Sequence, residues 1–316
     1  MAAKVRFGIQ TGQDEVEWSH LRDFWQFLDR ETAFHSVWTI DHFVPPGLNQ
    51  DIHGPCLEGW TALAAGAAVT ERIRVGCLVT GVTYRHPSVL AKMAATVDHI
   101  SNGRLEFGLG AAWHEPEHRV YGIPFPSVKE RSDRLEEATR MIRLLFRSEA
   151  PVDFAGRYYQ LREAPFAPRC VQKPHPPIFI GGGGEKRTLR TAARYGDAIN
   201  VSGDLDAVKR KLEILDKHCA EAGRDPGDIT RSVFAPLMLI DDPERAQQLR
   251  ARFSGMANTT PDRARETMMI GDAAHIRDLV GRFAEAGVSY VVMMSRPPYK
   301  LDLYRRISDE VVAAFT

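Results

Sequence analysis

Asp41-His42 is the pair of side chains in this sequence best suited to moving a proton. Imidazole titrates near neutral pH, and a neighbouring carboxylate can tune or orient it. The competing reading is a histidine that only caps a loop. A second chemical feature is Gly181-Gly182-Gly183-Gly184, which follows the apolar run Pro177-Ile178-Phe179-Ile180 and precedes a helical segment. Consecutive glycines leave no Cβ for a turn to avoid, so amide N–H groups can approach a ligand closely. A helix N-terminus behind them adds unpaired donors and partial positive charge, which suits a phosphate or another anion. An ordinary nucleotide P-loop is excluded: Gly184 is followed by Glu185-Lys186-Arg187-Thr188, without lysine and threonine at the required spacing. A third feature is Trp113, whose flat apolar face suits an aromatic ligand, unless it is simply buried under a loop.

His114-Glu115-Pro116-Glu117-His118 satisfies the zinc-protease pattern His-Glu-x-x-His. That chemistry needs both histidines on one face of a continuous helix, with the glutamate as base. Pro116 would break a helix interior but suits a first turn, so the helix is expected to begin after His114. The i, i+4 geometry is then lost and no metal site is expected. Glu115 and Glu117 are read instead as complements to the positive helix N-terminus.

The elements that must position these residues alternate along the whole chain. Strands are predicted over 5–10, 37–40, 73–80, 104–110, 178–180, 198–201, 232–240 and 288–294. Helices are predicted between them: one carrying Trp18, Leu21, Phe24, Trp25 and Leu28 at helical spacing, then 60–69, 87–100, 128–146, 187–195 and 206–222. Helical material over 243–283 and a final helix from Leu301 complete the series. Residues 152–161, with Gly156-Arg157 at the centre, read as a β-hairpin within an insertion over about 150–176. Eight strand–helix units in series predict a parallel sheet closed as a (β/α)8 TIM barrel, one domain over 1–316. The runner-up is a doubly wound open sheet, but Gln10-Thr11-Gly12-Gln13 is no dinucleotide fingerprint. In such a barrel the site lies where strands end. Asp41-His42, the segment from Thr80 to His86, Gly110-Ala111-Ala112-Trp113 and the glycine run would converge on one mouth.

Composition excludes several partner classes. Lysine plus arginine equals aspartate plus glutamate, 41 each, which gives no nucleic-acid surface and no polybasic membrane anchor. Cys56, Cys77, Cys170 and Cys219 are scattered without a Cys-x-x-Cys pair, which argues against a disulfide framework or a structural zinc. No apolar signal core precedes the first strand and no apolar run reaches the ~20 residues of a membrane span, so a cytoplasmic protein is expected.

Several of these segments together resemble a known family. Gly103-Arg104-Leu105, Gly108-Leu109-Gly110-Ala111-Ala112-Trp113, Glu117-His118 and Tyr121-Gly122-Ile123-Pro124-Phe125-Pro126 are similar to the bacterial luciferase-like superfamily. Arg134-Leu135-Glu136-Glu137-Ala138, Phe154-Ala155-Gly156-Arg157-Tyr158-Tyr159, Pro174-His175-Pro176-Pro177-Ile178 and Ala192-Ala193-Arg194-Tyr195-Gly196-Asp197 continue the likeness. Asp41-His42-Phe43 resembles the branch of oxidoreductases that depend on the deazaflavin coenzyme F420. That resemblance implies a luciferase-like barrel acting on a small-molecule C=O, C=C or C=N substrate. His42 would face the reactive carbon of the deazaflavin and handle a proton, with Asp41 supporting it. Cys77-Leu78 would lie at a cis-peptide bulge behind the cofactor ring, and Gly110, Ala111 and Ala112 beside the ring and its polyol. Gly181, Gly182, Gly183 and Gly184 would contact the tail near its phosphate. Sugar-phosphate dehydrogenases of this branch carry a glutamate at the position of Trp113 and a tryptophan near Pro46, so an apolar or aromatic substrate is expected instead. The alternative implied by the wider superfamily is an FMN-dependent monooxygenase fed by a separate reductase. A homodimer is the family expectation, and 243–271 is a candidate lid or interface segment.

Overall fold

The computed structural model describes residues 4–47, 51–256 and 268–316. The chain opens with β1 (Arg6–Gln10), α1 (Trp18–Glu31), β2 (Ser36–Thr39), α2 (Gly59–Ala68), β3 (Arg74–Gly81), α3 (Pro87–Ile100) and β4 (Leu105–Gly110). A short α4 (Glu115–Val120) and a long α5 (Val128–Arg147) lead into a hairpin of β5 (Val152–Ala155) and β6 (Gln160–Ala164). Alternation resumes with β7 (Ile178–Gly181), α6 (Thr188–Tyr195), β8 (Ala198–Ser202), α7 (Leu205–Ala222) and β9 (Thr230–Ala235). The last third holds β10 (Leu237–Leu239), α8 (Pro243–Met256), β11 (Met269–Gly271), α9 (Ala273–Glu285), β12 (Tyr290–Met294) and α10 (Leu301–Glu310).

Eight strands close a parallel barrel in the order β1-β12-β9-β8-β7-β4-β3-β2. This is the predicted (β/α)8 architecture, with the predicted hairpin inserted after α5. Strands covered on both faces read as near-continuous apolar runs, which is why β4, β7 and β12 stand out in the sequence. Inside the barrel Trp38, Leu78, Phe179, Ala198, Tyr290 and Val292 form one buried cluster. A larger core lies between the strands and the surrounding helices.

Local chemistry fixes the elements nearest the mouth. Pro87 begins α3, and the His86 ring accepts from the Ser88 N–H at 3.3 Å. Ser127 caps α5 by accepting from the Glu130 N–H at 3.2 Å. On α5, the Glu137 carboxylate accepts from the backbone N–H groups of Arg157, Tyr158 and Tyr159, at 3.0, 2.8 and 2.6 Å, and so anchors the hairpin. At the opposite end of the barrel, Asp29 accepts from the N–H groups of Glu71, Arg72 and Ile73, at 2.9, 2.9 and 2.7 Å, and holds the entry to β3.

Two sequence expectations need correction. The single strand over 232–240 is two: β9 belongs to the barrel, whereas β10 leaves it and pairs with β11 in a separate parallel ribbon. Pro236 lies between them; it has no N–H for the ladder, although the apolar run continues through it. The helical reading over 243–283 is likewise interrupted by β11, and part of it, 257–267, lies outside the described residues. No helix among the described residues is long and apolar enough to cross a membrane.

Candidate active site

Residues at or just past the ends of all eight barrel strands surround a cavity of ≈ 550 Å³, within the range of small-ligand sites. Its floor is set by an irregularity in β3. Pairing with β4 slips between Cys77 and Thr80, and the Leu78–Val79 peptide is cis. The bulge therefore lies one residue later than Cys77-Leu78. Cys77 is fully buried outside the cavity, while Leu78 and Val79 form the wall. The Gln10 side-chain N–H donates to the Leu78 carbonyl at 2.6 Å and ties the bulge to β1. Gly110 and Gly181 flank Val79 so closely that a Cβ on either would meet its methyl groups, at 2.5 Å from Gly110 and 2.6 Å from Gly181. Gly110, Ala111, Ala112 and Trp113 line one side of the cavity, with Ala112 at φ +63°.

The glycine run divides. Gly181 and Gly182 line the cavity, and Gly182 has φ +125°, a conformation that L side chains avoid. Gly183 and Gly184 lie beyond the wall: Gly183 faces the Lys211 ammonium and Gly184 the Thr188 hydroxyl. The helix does not start at once, because a turn over Glu185–Arg187 intervenes before α6. Lys211 donates to the Ser202 carbonyl at 2.5 Å, and burial holds its pKa below the ordinary lysine value.

Asp41 and His42 follow β2, and both line the cavity, but their side chains find different partners. Asp41 does not touch His42. Its carboxylate accepts from Arg85 Nη1 at 2.8 Å on both oxygens and from the Gly81 N–H at 3.1 Å. Arg85 in turn reaches Glu58 at 2.5 Å. Burial pushes the Asp41 carboxyl up to about 6, against the opposing pull of Arg85. The pair thus clamps the end of β3 beneath the His42 loop.

The partner of His42 is Glu117, the third residue of α4, with Nδ1 and Oε2 3.0 Å apart. Glu117 is fully buried and also accepts from the Phe43 N–H at 3.1 Å and from the Tyr84 hydroxyl. Burial alone would raise its pKa, but His42, Tyr84 and the Phe43 N–H outweigh that and hold it below the usual glutamate value. An ionised carboxylate only accepts, so Nδ1 carries the proton and Nε2 is left as the basic nitrogen. Trp113 stands over this ring, centroids 5.5 Å apart at 75°, and at 59% exposure it is an open wall rather than a residue buried under a loop.

His118 takes no part. Its Nε2 meets the Thr83 hydroxyl at 2.7 Å and its Nδ1 donates to the His114 carbonyl at 2.8 Å. His114 stands at the N-cap position of α4, outside the helix and without a capping side-chain bond, so the His-Glu-x-x-His motif does not assemble as a protease site. Sequence reasoning missed Glu117 as a partner of His42, and also Arg85 and Val79. The signal for Glu117 was present in the Pro116 argument, which fixes the helix start and hence the face on which Glu117 lies.

A closed (β/α)8 barrel with a bulged third strand and a carboxylate-held histidine at the mouth defines a class of cofactor-dependent enzyme scaffolds. The profile described as luciferase-like monooxygenase matches residues 1–286, and the chain belongs to that family. Among relatives, an F420-dependent glucose-6-phosphate dehydrogenase of Kineococcus radiotolerans is 34% identical over 246 residues, 77% of this chain and 70% of the relative. One of Microbacterium testaceum with the same description is 28% identical over 314 residues, 98% of this chain and 90% of the relative. An F420-dependent secondary alcohol dehydrogenase, solved with an F420–acetone adduct, superposes with a TM-score of 0.84 at 23% identity, over 99% of both chains. The coenzyme F420 dependent tetrahydromethanopterin reductase of Methanopyrus kandleri gives 0.80 at 21% identity, over 99% of this chain and all of that one.

Proposed function

We propose that this protein is an F420-dependent oxidoreductase that moves a hydride between the deazaflavin and a small organic substrate, with His42 as acid or base. The observation that carries the reading is His42, oriented by Glu117 at the mouth of a cavity whose wall is the Leu78–Val79 bulge. The relatives described as F420-dependent dehydrogenases support the cofactor.

The residues present suit such a group. The bulge at Leu78 and Val79, with Gly110 beside it, offers a flat backing for a ring, since a side chain at Gly110 would collide with Val79. Gly181 and Gly182 line the cavity and admit close backbone approach, and Arg296 in the same lining brings positive charge to it. When bound, the deazaflavin supplies two-electron hydride chemistry. His42 then balances the proton. In reduction of a C=O group, Nε2 gives its proton to the oxygen as the carbon gains hydride; in oxidation, Nε2 takes the hydroxyl proton. Glu117 holds Nδ1–H throughout, favours the imidazolium when it forms, and keeps the ring aimed. Trp113 supplies an apolar face on the substrate side, which favours an apolar or aromatic substrate over a sugar phosphate.

The test is a pair of titrations of the purified chain with F420 and with FMN, followed by a panel of alcohols, ketones and activated alkenes monitored at the deazaflavin absorbance. Micromolar F420 binding with far weaker FMN binding is expected. Tight FMN binding without F420 binding, together with oxygen uptake on addition of reduced FMN, overturns the proposal in favour of a monooxygenase.

A further inference from the structure

His114 Nδ1 is buried, yet it has no hydrogen-bond partner. The neighbouring acceptor, Glu117 Oε2, is 3.7 Å away, beyond hydrogen-bond length. His42 Nδ1 lies 3.0 Å from that same oxygen. The ligand atoms of His42, His114 and Glu117 all fall within 4.8 Å of one another, and the two imidazole rings meet edge to face with centroids 5.6 Å apart. Ligands each about 2.1 Å from a tetrahedral ion sit about 3.4 Å from one another. The distances from Glu117 Oε2 to the two nitrogens straddle that value.

We infer that His42, His114 and Glu117 form a binding site for a Zn²⁺-class divalent cation, and that filling it disables the proposed proton carrier. The charge balance favours the ion. Glu117 is fully buried, and the partners it has among the described residues are histidine rings, a hydroxyl and a backbone N–H, with no lysine or arginine. Two imidazole nitrogens with one carboxylate oxygen suit zinc, cobalt or nickel and give magnesium and calcium little. His42 lines the cavity, so the ion has a path in, and a coordination position remains for water or a ligand. On binding, the cation takes the place of the proton on His42 Nδ1. By exchange with water the ring carries its one proton on Nε2 instead, so the neutral ring has no free nitrogen to accept a substrate proton and is no longer held by Glu117 through Nδ1–H.

This site is distinct from the His-Glu-x-x-His reading. It uses the first histidine and the second glutamate of that segment, together with a histidine from the end of another strand. It is inhibitory rather than a resident metal centre. Formation of the site rests on geometry alone, whereas its inhibitory effect rests on the proposed role of His42.

The experiment uses chelator-treated protein without cofactor, titrated first with Co²⁺ and then with Zn²⁺. One Co²⁺ per chain is expected, with the visible band of a low-coordinate cobalt site that Zn²⁺ abolishes, while Mg²⁺ leaves it unchanged. His114→Ala and His114→Gln should each weaken Zn²⁺ binding by about tenfold or more. The cobalt spectrum of the unaltered chain needs no variant and guards against misfolding. With F420 present, Zn²⁺ should suppress turnover at the concentration that fills the site. Absence of a stoichiometric cobalt band, or zinc affinity unchanged in both variants, overturns the site. Metal binding that leaves turnover intact overturns the inhibitory half and removes His42 from proton transfer. Loss of F420 chemistry with metal binding intact counts against the proposed function only.

Discussion

Gly110→Ala is the sharpest test of the idea that the β3 bulge backs the cofactor ring. The added Cβ would stand 2.5 Å from Val79 Cγ2. Two carbons at rest are about 3.5–4.0 Å apart, so something must move by roughly 1 Å. Overpacking of that size costs about 1–3 kcal/mol. Val79 sits between Gly110 and Gly181, so it is pushed away from Gly110 toward Gly181, and the cavity wall that it forms is displaced. F420 affinity should then fall by about tenfold, or roughly 1.4 kcal/mol. Val79→Ala removes the colliding methyls. In the double variant the new Cβ meets the Gly181 carbonyl oxygen at 3.5 Å and the residue 79 Cβ at 3.7 Å, both ordinary contacts. The pair should therefore couple favourably by about 1–2 kcal/mol in a double-mutant cycle. Urea unfolding measures the stability cycle, and a fluorescence titration with F420 measures the binding cycle. Gly281→Ala serves as control: nothing lies within 4 Å of its new Cβ. Inside helix α9 it should raise stability by about 0.5–1 kcal/mol and leave F420 binding alone. Strictly additive effects of Gly110→Ala and Val79→Ala on F420 affinity would refute the assignment of this wall to the cofactor.

The Glu117 carboxylate, the Trp113 ring and the Asp29 anchor give three further tests. In Glu117→Gln the one carbonyl oxygen can serve either His42 Nδ1 and the Phe43 N–H, which share Oε2, or the Tyr84 hydroxyl on Oε1, but not both. Where the amide N–H faces Nδ1, the wrong tautomer results, and in either orientation the negative charge that favours the imidazolium is gone. Turnover of a substrate found in the panel should fall by about a hundredfold or more with F420 affinity preserved, and a steady-state rate near wild type would remove Glu117 from the mechanism. Trp113→Ala should raise KM for an aromatic substrate by about tenfold, consistent with about 1–1.5 kcal/mol for lost ring contacts, and leave a small aliphatic one nearly unaffected. Burial would raise the Asp29 pKa, but the N–H groups of Ile73, Glu71 and Arg72 and the Arg72 guanidinium outweigh it and hold it below 3.8. Its stabilising contribution is thus complete above the unfolded value and lost as pH falls through the depressed folded value. Urea midpoints of wild type should drop more steeply below about pH 4 than those of Asp29→Asn, and parallel curves would contradict the linkage.

The barrel was legible because its physics is local and repetitive, while the site was legible only as a neighbourhood. Strands covered on both faces must be apolar throughout and helices must show one apolar stripe, so β7 and α3 emerge from 178–181 and 87–100 almost to the residue. The same rule misleads at Pro236, where the apolar run continues although the missing N–H ends the ladder and β10 turns away to β11. Strand ends gather Asp41, His42, Trp113, Gly181 and Gly182 at one mouth, as the topology requires. Which of them touch is another matter. Asp41 and His42 are adjacent in sequence, but Asp41 is taken up by Arg85, so the orienting carboxylate comes from elsewhere. It comes from Glu117 on α4, and Asp41 finds Arg85 beyond the end of β3. Pro116 links the two levels. Its ring rules out a continuous helix through His114, places Glu117 in the first turn, and leaves Glu117 facing His42 while His118 faces Thr83. A steric argument made against one metal site thus fixes the geometry that brings Glu117, His42 and His114 together as another.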